Sequence, residues 1–168
     1  TFKNLYCDYL KLPIGPKMKE LYFKTLKGIY PSAEFLNKRC KIELSNCVFC
    51  EEEIESTEHI FFSCMYSNTL WGDLIEWLEP KIRLASNFTF TKKDVMCGIL
   101  LEDRRIEMLL NLCIIVGKFF IHKCKWIKTQ PTFYSFKNEL KHYCKTIAML
   151  RTKAAIKMTE VISASNLL

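Results

Sequence analysis

The stretch CVFCEEEIESTEHIFFSC, residues 47–64, sets Cys47, Cys50, His59 and Cys64 in the pattern Cys-x2-Cys-x8-His-x4-Cys. Two thiolates from one tight turn can reach the same ion, and the histidine and last cysteine arrive from the segment behind it. Four such ligands fill a tetrahedral shell, whereas catalytic zinc normally keeps a water in the fourth place. The spacing therefore predicts one structural Zn2+ held by Cys47, Cys50, His59 and Cys64, and a binding module rather than a catalyst. On an ideal helix His59 and Cys64 would diverge by about 140°, so Cys64 is expected where a helical turn ends or distorts. Ser56 or Thr57 is placed to cap that turn.

Outward from this loop the chain reads as helices. Phe2, Leu5, Tyr6, Tyr9 and Leu10 recur at helical spacing up to Pro13. Pro16 suits the first position of a second helix, whose stripe is Met18, Leu21, Tyr22, Leu26 and Ile29 before Gly28 and Pro31 close it. Ser32 can cap a third helix holding Phe35 and Leu36, and the alternation at Ile42 and Leu44 predicts a short strand leading into Cys47. Beyond the loop, Leu70, Trp71, Leu74, Ile75 and Leu78 form one face up to Pro80, with Trp71 rather than Trp77 expected in the core. Residues 80–90 read as a loop.

Thr91-x-x-Asp94 resembles a capping box ahead of Val95, Met96, Ile99 and Leu100. From Arg104 to Lys128 apolar residues are nearly continuous, as in a helix through the centre of a bundle. After Pro131 a last long helix carries Phe133, Phe136, Leu140, Cys144, Ile147 and Leu150 inward, and the residues after about Thr159 are expected to fray.

The 168 residues suffice for a hydrophobic core, and 49% hydrophobic with 26% charged residues lies far from disordered or fibrous compositions. Nine cysteines at irregular positions without a secretory signal suggest a reducing compartment rather than a disulfide framework. The run from Met108 to Ile121 contains Asn111 and Lys118 and is too short to span a bilayer, so no membrane partner is expected. A first residue Thr1 suggests a piece of a longer protein.

Charge is unevenly spread. From Lys118 to Lys157 ten Lys or Arg face the single acid Glu139, and residues 1–46 hold nine bases against four acids. The ligand loop, with Glu51, Glu52, Glu53, Glu55 and Glu58, is acidic. Such an excess suits a polyanion, which makes Lys118, Lys123, Lys125, Lys128, Lys137, Lys141, Lys145, Arg151 and Lys153 candidate nucleic-acid contacts. Lysine outnumbers arginine there, favouring backbone attraction over base reading. The interleaved Phe119, Phe120, Trp126, Phe133, Tyr134 and Tyr143 could stack bases, although aromatics at helical spacing usually fill a core. His122-x-Cys124 and His142-x-Cys144 cannot converge on one ion, because residues two apart on a helix point to different sides. With Cys7, Cys40, Cys97 and Cys113, these cysteines read as small buried apolar residues.

Glu55-Ser56-Thr57-Glu58-His59-Ile60-Phe61-Phe62-Ser63-Cys64, preceded by Cys47-x2-Cys50 and followed by Trp71 and Trp77, resembles the zinc-binding region after the reverse transcriptase of LINE-type (non-LTR) retrotransposon polyproteins. Pro16-Lys17-Met18-Lys19 and Tyr30-Pro31-Ser32 before Phe35-Leu36 resemble its lead-in, so the likeness covers about residues 13–78. Lys118-Phe119-Phe120-Ile121-His122-Lys123-Cys124-Lys125-Trp126 more loosely resembles the C-terminal segment of vertebrate elements. The resemblance implies a region that binds template RNA, or single-stranded or target DNA, beside a polymerase performing target-primed reverse transcription. Its partners would be that RNA and the upstream reverse transcriptase domains, in cytoplasmic and nuclear ribonucleoprotein. The Cys50-to-His59 gap is double that of the retroviral zinc knuckle and lacks its glycine, so knuckle-style base recognition is not expected. No Tyr-x-Asp-Asp motif or two-metal carboxylate cluster is present, so this stretch is expected to be non-catalytic.

The expected fold is mainly α, a helical bundle with a small zinc-stapled CCHC loop. Residues 1–79 would hold the N-terminal helices and zinc module, and residues 80–168 a basic helical segment packed with them as one domain. The competing reading is an architectural or protein-interaction module bracing the polymerase without RNA contact.

Overall fold

Proline costs nothing at the first turn of a helix, where its missing N–H would be unpaired anyway. Helix α1, Pro16–Leu26, begins there in the computed structural model, which describes Tyr9 and residues 11–85 and 87–167. Met18, Leu21 and Tyr22 face inward, and Gly28 takes the left-handed φ of 65° that turns the chain away. Helix α2, Ala33–Cys40, is capped by Ser32, whose Oγ accepts from the Phe35 amide at 3.3 Å. Helix α3 is Met65–Leu78 and buries Leu70, Trp71, Leu74 and Leu78. Helix α4, Lys92–Cys97, opens on the expected box, in which the Asp94 amide donates to Thr91 and the Thr91 amide to Asp94.

Helix α5, Arg104–Ile127, is the axis of the molecule, about 36 Å long at 1.5 Å per residue. Asp103 caps it, and the stretch from Leu112 to Lys118 is buried without interruption, because α1, α6, α7 and the turn after His59 all pack against it. Gly117 permits a further close approach, from α3: a Cβ there would lie 2.5 Å from Trp71 Cη2. The Trp71 ring is itself fixed, with Nε1 donating to the Phe61 carbonyl at 2.8 Å. Helix α6, Phe133–Met149, turns Phe136, Leu140, Cys144 and Ile147 inward, and α7, Lys153–Ala164, packs on α5 and α6. The mainly α expectation thus holds, and among the described residues there is no named strand.

Several local expectations are corrected. Ile42 and Leu44 form no strand and stay exposed, since among the described residues no neighbouring segment offers their amides a partner and the extended pairing there is a single bridge, Asn46 to Ile54. Helix α4 stops at Gly98, so Ile99 is buried outside it and Leu100 is exposed. The Asn111 side chain replaces the lost helical bonds at Ile99, accepting from its amide and donating to its carbonyl, both at 2.9 Å. Leu150 lies beyond α6 and is exposed. The tail does not fray after Thr159: Met158, Val161 and Ile162 share one face of α7 and are buried with Leu167. Cys113, Cys124 and Cys144 are buried as expected, but Cys40 is exposed and Cys97 half-buried. Phe2, Leu5, Tyr6, Cys7 and Leu10 lie outside the described residues, while Tyr9 packs on Tyr22 with centroids 4.4 Å apart.

Candidate metal centre

A two-sided backbone clasp forms the first half of the site. The Cys47 amide donates to the Glu53 carbonyl at 2.7 Å, and the Glu55 amide to the Ser45 carbonyl at 3.1 Å. Between them the chain reverses through Glu51, whose amide donates to the Cys47 carbonyl and whose φ is 61°, a left-handed value usually left to glycine. The Asn46 side-chain amide holds the Glu51 carbonyl at 2.9 Å. This turn brings the sulfurs of Cys47 and Cys50 to one side.

The second half answers the angular problem seen in the sequence. Ser56 caps the next turn, accepting from the His59 amide at 2.9 Å, and His59–Ser63 winds as a π-helical turn. Its closing bond runs from the Cys64 amide to the His59 carbonyl, five residues back, at 2.8 Å. The wider turn returns Cys64 to the His59 side, where an α-helix would have carried it away. Cys64 leaves helical geometry with ψ 133° and opens α3.

The four ligand atoms lie within 4.8 Å of one another. Cys47 Sγ is 3.8 Å from Cys64 Sγ, and Cys50 Sγ is 3.3 Å from His59 Nε2. A tetrahedral zinc with bonds of about 2.3 Å to sulfur and about 2.0 Å to nitrogen has edges of about 3.8 Å and about 3.5 Å, so this donor set fits the ion. Cys47, His59 and Cys64 are buried and Cys50 is half-buried. Glu53 Oε2 sits 3.1 Å from His59 Nδ1, within charge-pair distance but off hydrogen-bond alignment. The Cys64 thiol is held below its usual range first by the Cys47 hydrogen bond, then by the amides of Tyr66 and Ser67 in the first turn of α3. The Cys47 thiol is raised by giving that bond and by burial. Binding an ion here must expel the proton they share.

One acid of the loop serves a different purpose. Glu55 is buried, and its Oε1 accepts from the Ala33 amide at 3.2 Å and from Lys125 Nζ at 2.6 Å. Lys125 also donates to the Pro31 carbonyl at 3.2 Å. The ligand loop, the start of α2 and the end of α5 therefore meet at one ion pair. Nothing in the sequence separates Glu55 from its four acidic neighbours, so its burial was not legible there.

The candidate nucleic-acid residues divide by environment. Lys118 is only 1% exposed, with Nζ 3.3 Å from the Met96 carbonyl and 4.7 Å from the Tyr22 ring centroid, so burial removes it from the set. Lys125 is committed to Glu55, and Lys123 pairs with Glu139. Lys128, Lys141, Lys145, Arg151 and Lys153 are exposed and Lys137 is half-exposed, none with a carboxylate within ion-pair distance among the described residues. His122 bonds Tyr30 and Trp126, His142 is exposed, and the only metal-ligand cluster among the described residues is that of the four predicted ligands.

No curated protein and no solved structure matches the chain. A family model does: residues 3–71 match the one described as zinc-binding in reverse transcriptase. The matched span contains all four ligands and ends at Trp71, the ring seated on Gly117. Residues 3–71 are thus similar to the zinc-binding region of reverse transcriptases, with Cys47, Cys50, His59 and Cys64 as a cluster fitted to one ion.

Proposed function

We propose that this chain is a non-catalytic nucleic-acid-binding part of a LINE-type (non-LTR) retrotransposon reverse transcriptase, C-terminal to the polymerase, that holds template RNA during target-primed reverse transcription. The observation that carries the reading is the set of cations on α6 and its flanks, Lys128, Lys137, Lys141, Lys145, Arg151 and Lys153, none of which has a carboxylate within ion-pair distance among the described residues. Lys137, Lys141 and Lys145 recur every four residues and so form one ridge on α6. Similarity of residues 3–71 to a zinc-binding region of reverse transcriptases supplies the polymerase context. The ion orders the fold, and the lysines attract phosphate with little base discrimination.

Fluorescence anisotropy with single-stranded RNA over a range of salt tests this. Four phosphate contacts give a log–log slope of about −3. Lys137→Glu, Lys141→Glu and Lys145→Glu together should weaken binding with the helical circular dichroism unchanged. Absence of RNA binding by the zinc-loaded protein at low salt would sink the proposal. The competing reading, a brace for the polymerase, draws on Ile42, Leu44 and Ile54, three apolar side chains exposed around the ligand loop. It is favoured if the protein binds the upstream domains and no RNA.

A further inference from the structure

Trp126 is 67% exposed, yet its ring is held in place. Its Nε1 donates to His122 Nε2 at 3.1 Å, one helical turn back on α5. That bond leaves the His122 Nδ1 proton to face the Tyr30 hydroxyl at 3.0 Å, and Tyr30 is buried against Phe61. Burial, with Lys125 and Lys24 nearby, lowers His122 to about 4, so the ring is neutral near pH 7 and free to accept. An exposed indole is thus anchored through two hydrogen bonds to the core, which spares a ligand the cost of ordering it.

The indole lines a groove of about 660 Å3 between α1 and the last turns of α5, together with the apolar Leu21, Phe119 and Phe120. Each acid lining it is already paired, Glu20 with Lys24 at 2.6 Å and Glu139 with Lys123. What remains on the wall is Lys17, and Lys128 is exposed two residues beyond Trp126. The groove therefore joins a fixed aromatic face to a net positive rim, the combination that holds an unpaired base and its phosphates.

We propose that this groove stacks an unpaired base of single-stranded RNA on Trp126, with the flanking phosphates against Lys17 and Lys128. The proposal rests on the nucleic-acid reading above and adds a place to it. That place is separate from the Lys137, Lys141 and Lys145 ridge, because Glu139, which lines the groove, points to the other side of α6 from those lysines.

The zinc-loaded chain and its Trp126→Ala and Trp126→Phe variants are titrated with oligouridylate and with an abasic oligomer of equal length. Trp126→Ala should weaken oligouridylate binding about tenfold, Trp126→Phe should retain most of it, and neither should alter abasic binding. Binding of oligouridylate should quench tryptophan emission in the wild type, and that quench should vanish in Trp126→Phe, where Trp71 and Trp77 remain. If the wild type binds RNA but Trp126→Ala binds as tightly and no quench depends on Trp126, the groove assignment fails and the general reading stands. If Trp126→Ala impairs only binding to the upstream polymerase domains, the occupant is an apolar protein segment and the proposal is overturned. Absence of RNA binding by the wild type overturns both.

Discussion

Replacing Lys118 with Met should stabilise the protein near neutral pH, and by an amount that depends on pH in a defined direction. Burial lowers the Lys118 amine from its ordinary 10.5 to about 7. At 1.36 kcal/mol per pH unit, holding the charged form inside costs the fold about 5 kcal/mol. The Tyr22 ring at 4.7 Å and the Phe61 ring at 5.8 Å return part of this, about 2 kcal/mol together for desolvated contacts, leaving about 3 kcal/mol. The rings also draw the amine part of the way back towards 10.5, and below its folded-state value both the folded and unfolded chains carry the proton and the full cost applies. Between that value and 10.5 the unfolded chain binds more protons than the folded one, so wild-type stability rises with pH; above 10.5 the cost is gone. Lys118→Met matches the volume and removes the charge, giving up only the bond to the Met96 carbonyl, worth about 1 kcal/mol. Urea unfolding of the zinc-loaded proteins at intervals from pH 6 to 10 should show the variant ahead by about 2 kcal/mol at pH 7, with the gap closing as pH rises. A gap that stays constant with pH, or a variant less stable at pH 7, would refute the reasoning.

Chelation, or Cys50→Ser, should free residues 45–64 to exchange their amide protons at rates near those of an unfolded chain while α6 and α7 stay protected; equal protection throughout would contradict a stapling role. Glu51→Gly should raise stability by about 0.5 kcal/mol in urea titrations, since about 1 kcal/mol of left-handed backbone strain is relieved against the added chain entropy of glycine. Gly117→Ala should lower stability by about 1–2 kcal/mol and change the near-ultraviolet circular dichroism of Trp71. Its Cβ would meet a buried ring whose Nε1 is pinned, and overpacking of about 1–3 kcal/mol exceeds the gain in helix propensity of about 1 kcal/mol.

Features carried by local chemistry were legible in the sequence. Pro16, Ser32, Ser56 and the Thr91–Asp94 box each act on atoms within a few positions, and the four ligands fall within one stretch, residues 47–64, so residue type and spacing determine them. The need for a distortion between His59 and Cys64 could even be read from an angle, and the π-turn supplies it. What failed depended on partners distant in sequence. Ile42 and Leu44 alternate as a strand does, but alternation cannot supply a neighbouring strand. Lys118 stands in a basic run and yet faces inward, because α5 is wrapped by three helices and a lysine stem packs as an apolar chain does. Local pattern predicts a frayed end because the packing of α7 on α5 and α6, with Val161 and Ile162 buried, is visible only in the fold.

Glu55 shows how the zinc loop can govern a surface it does not touch. It lies inside the ligand span, and its carboxylate is set by the clasp that also presents Cys47. That carboxylate caps α2 at Ala33 and holds Lys125, which immediately precedes Trp126. A buried pair of this kind contributes little net stability, since desolvating both charges costs about what their attraction returns; losing one partner is what costs several kcal/mol. Its value here is therefore in register. With the clasp formed, the end of α5 has one position relative to α2, and Tyr30, which receives the proton of the His122 that orients Trp126, sits one residue before Pro31, whose carbonyl Lys125 also holds. Without the clasp, Lys125 is left with the Pro31 carbonyl and the Tyr30 ring but no counter-charge, and Trp126 loses part of the frame that fixes its ring. An ion held by the four ligands would thus act on the basic, aromatic end of α5 through Glu55 and Lys125, as a scaffold removed from the surface it orders.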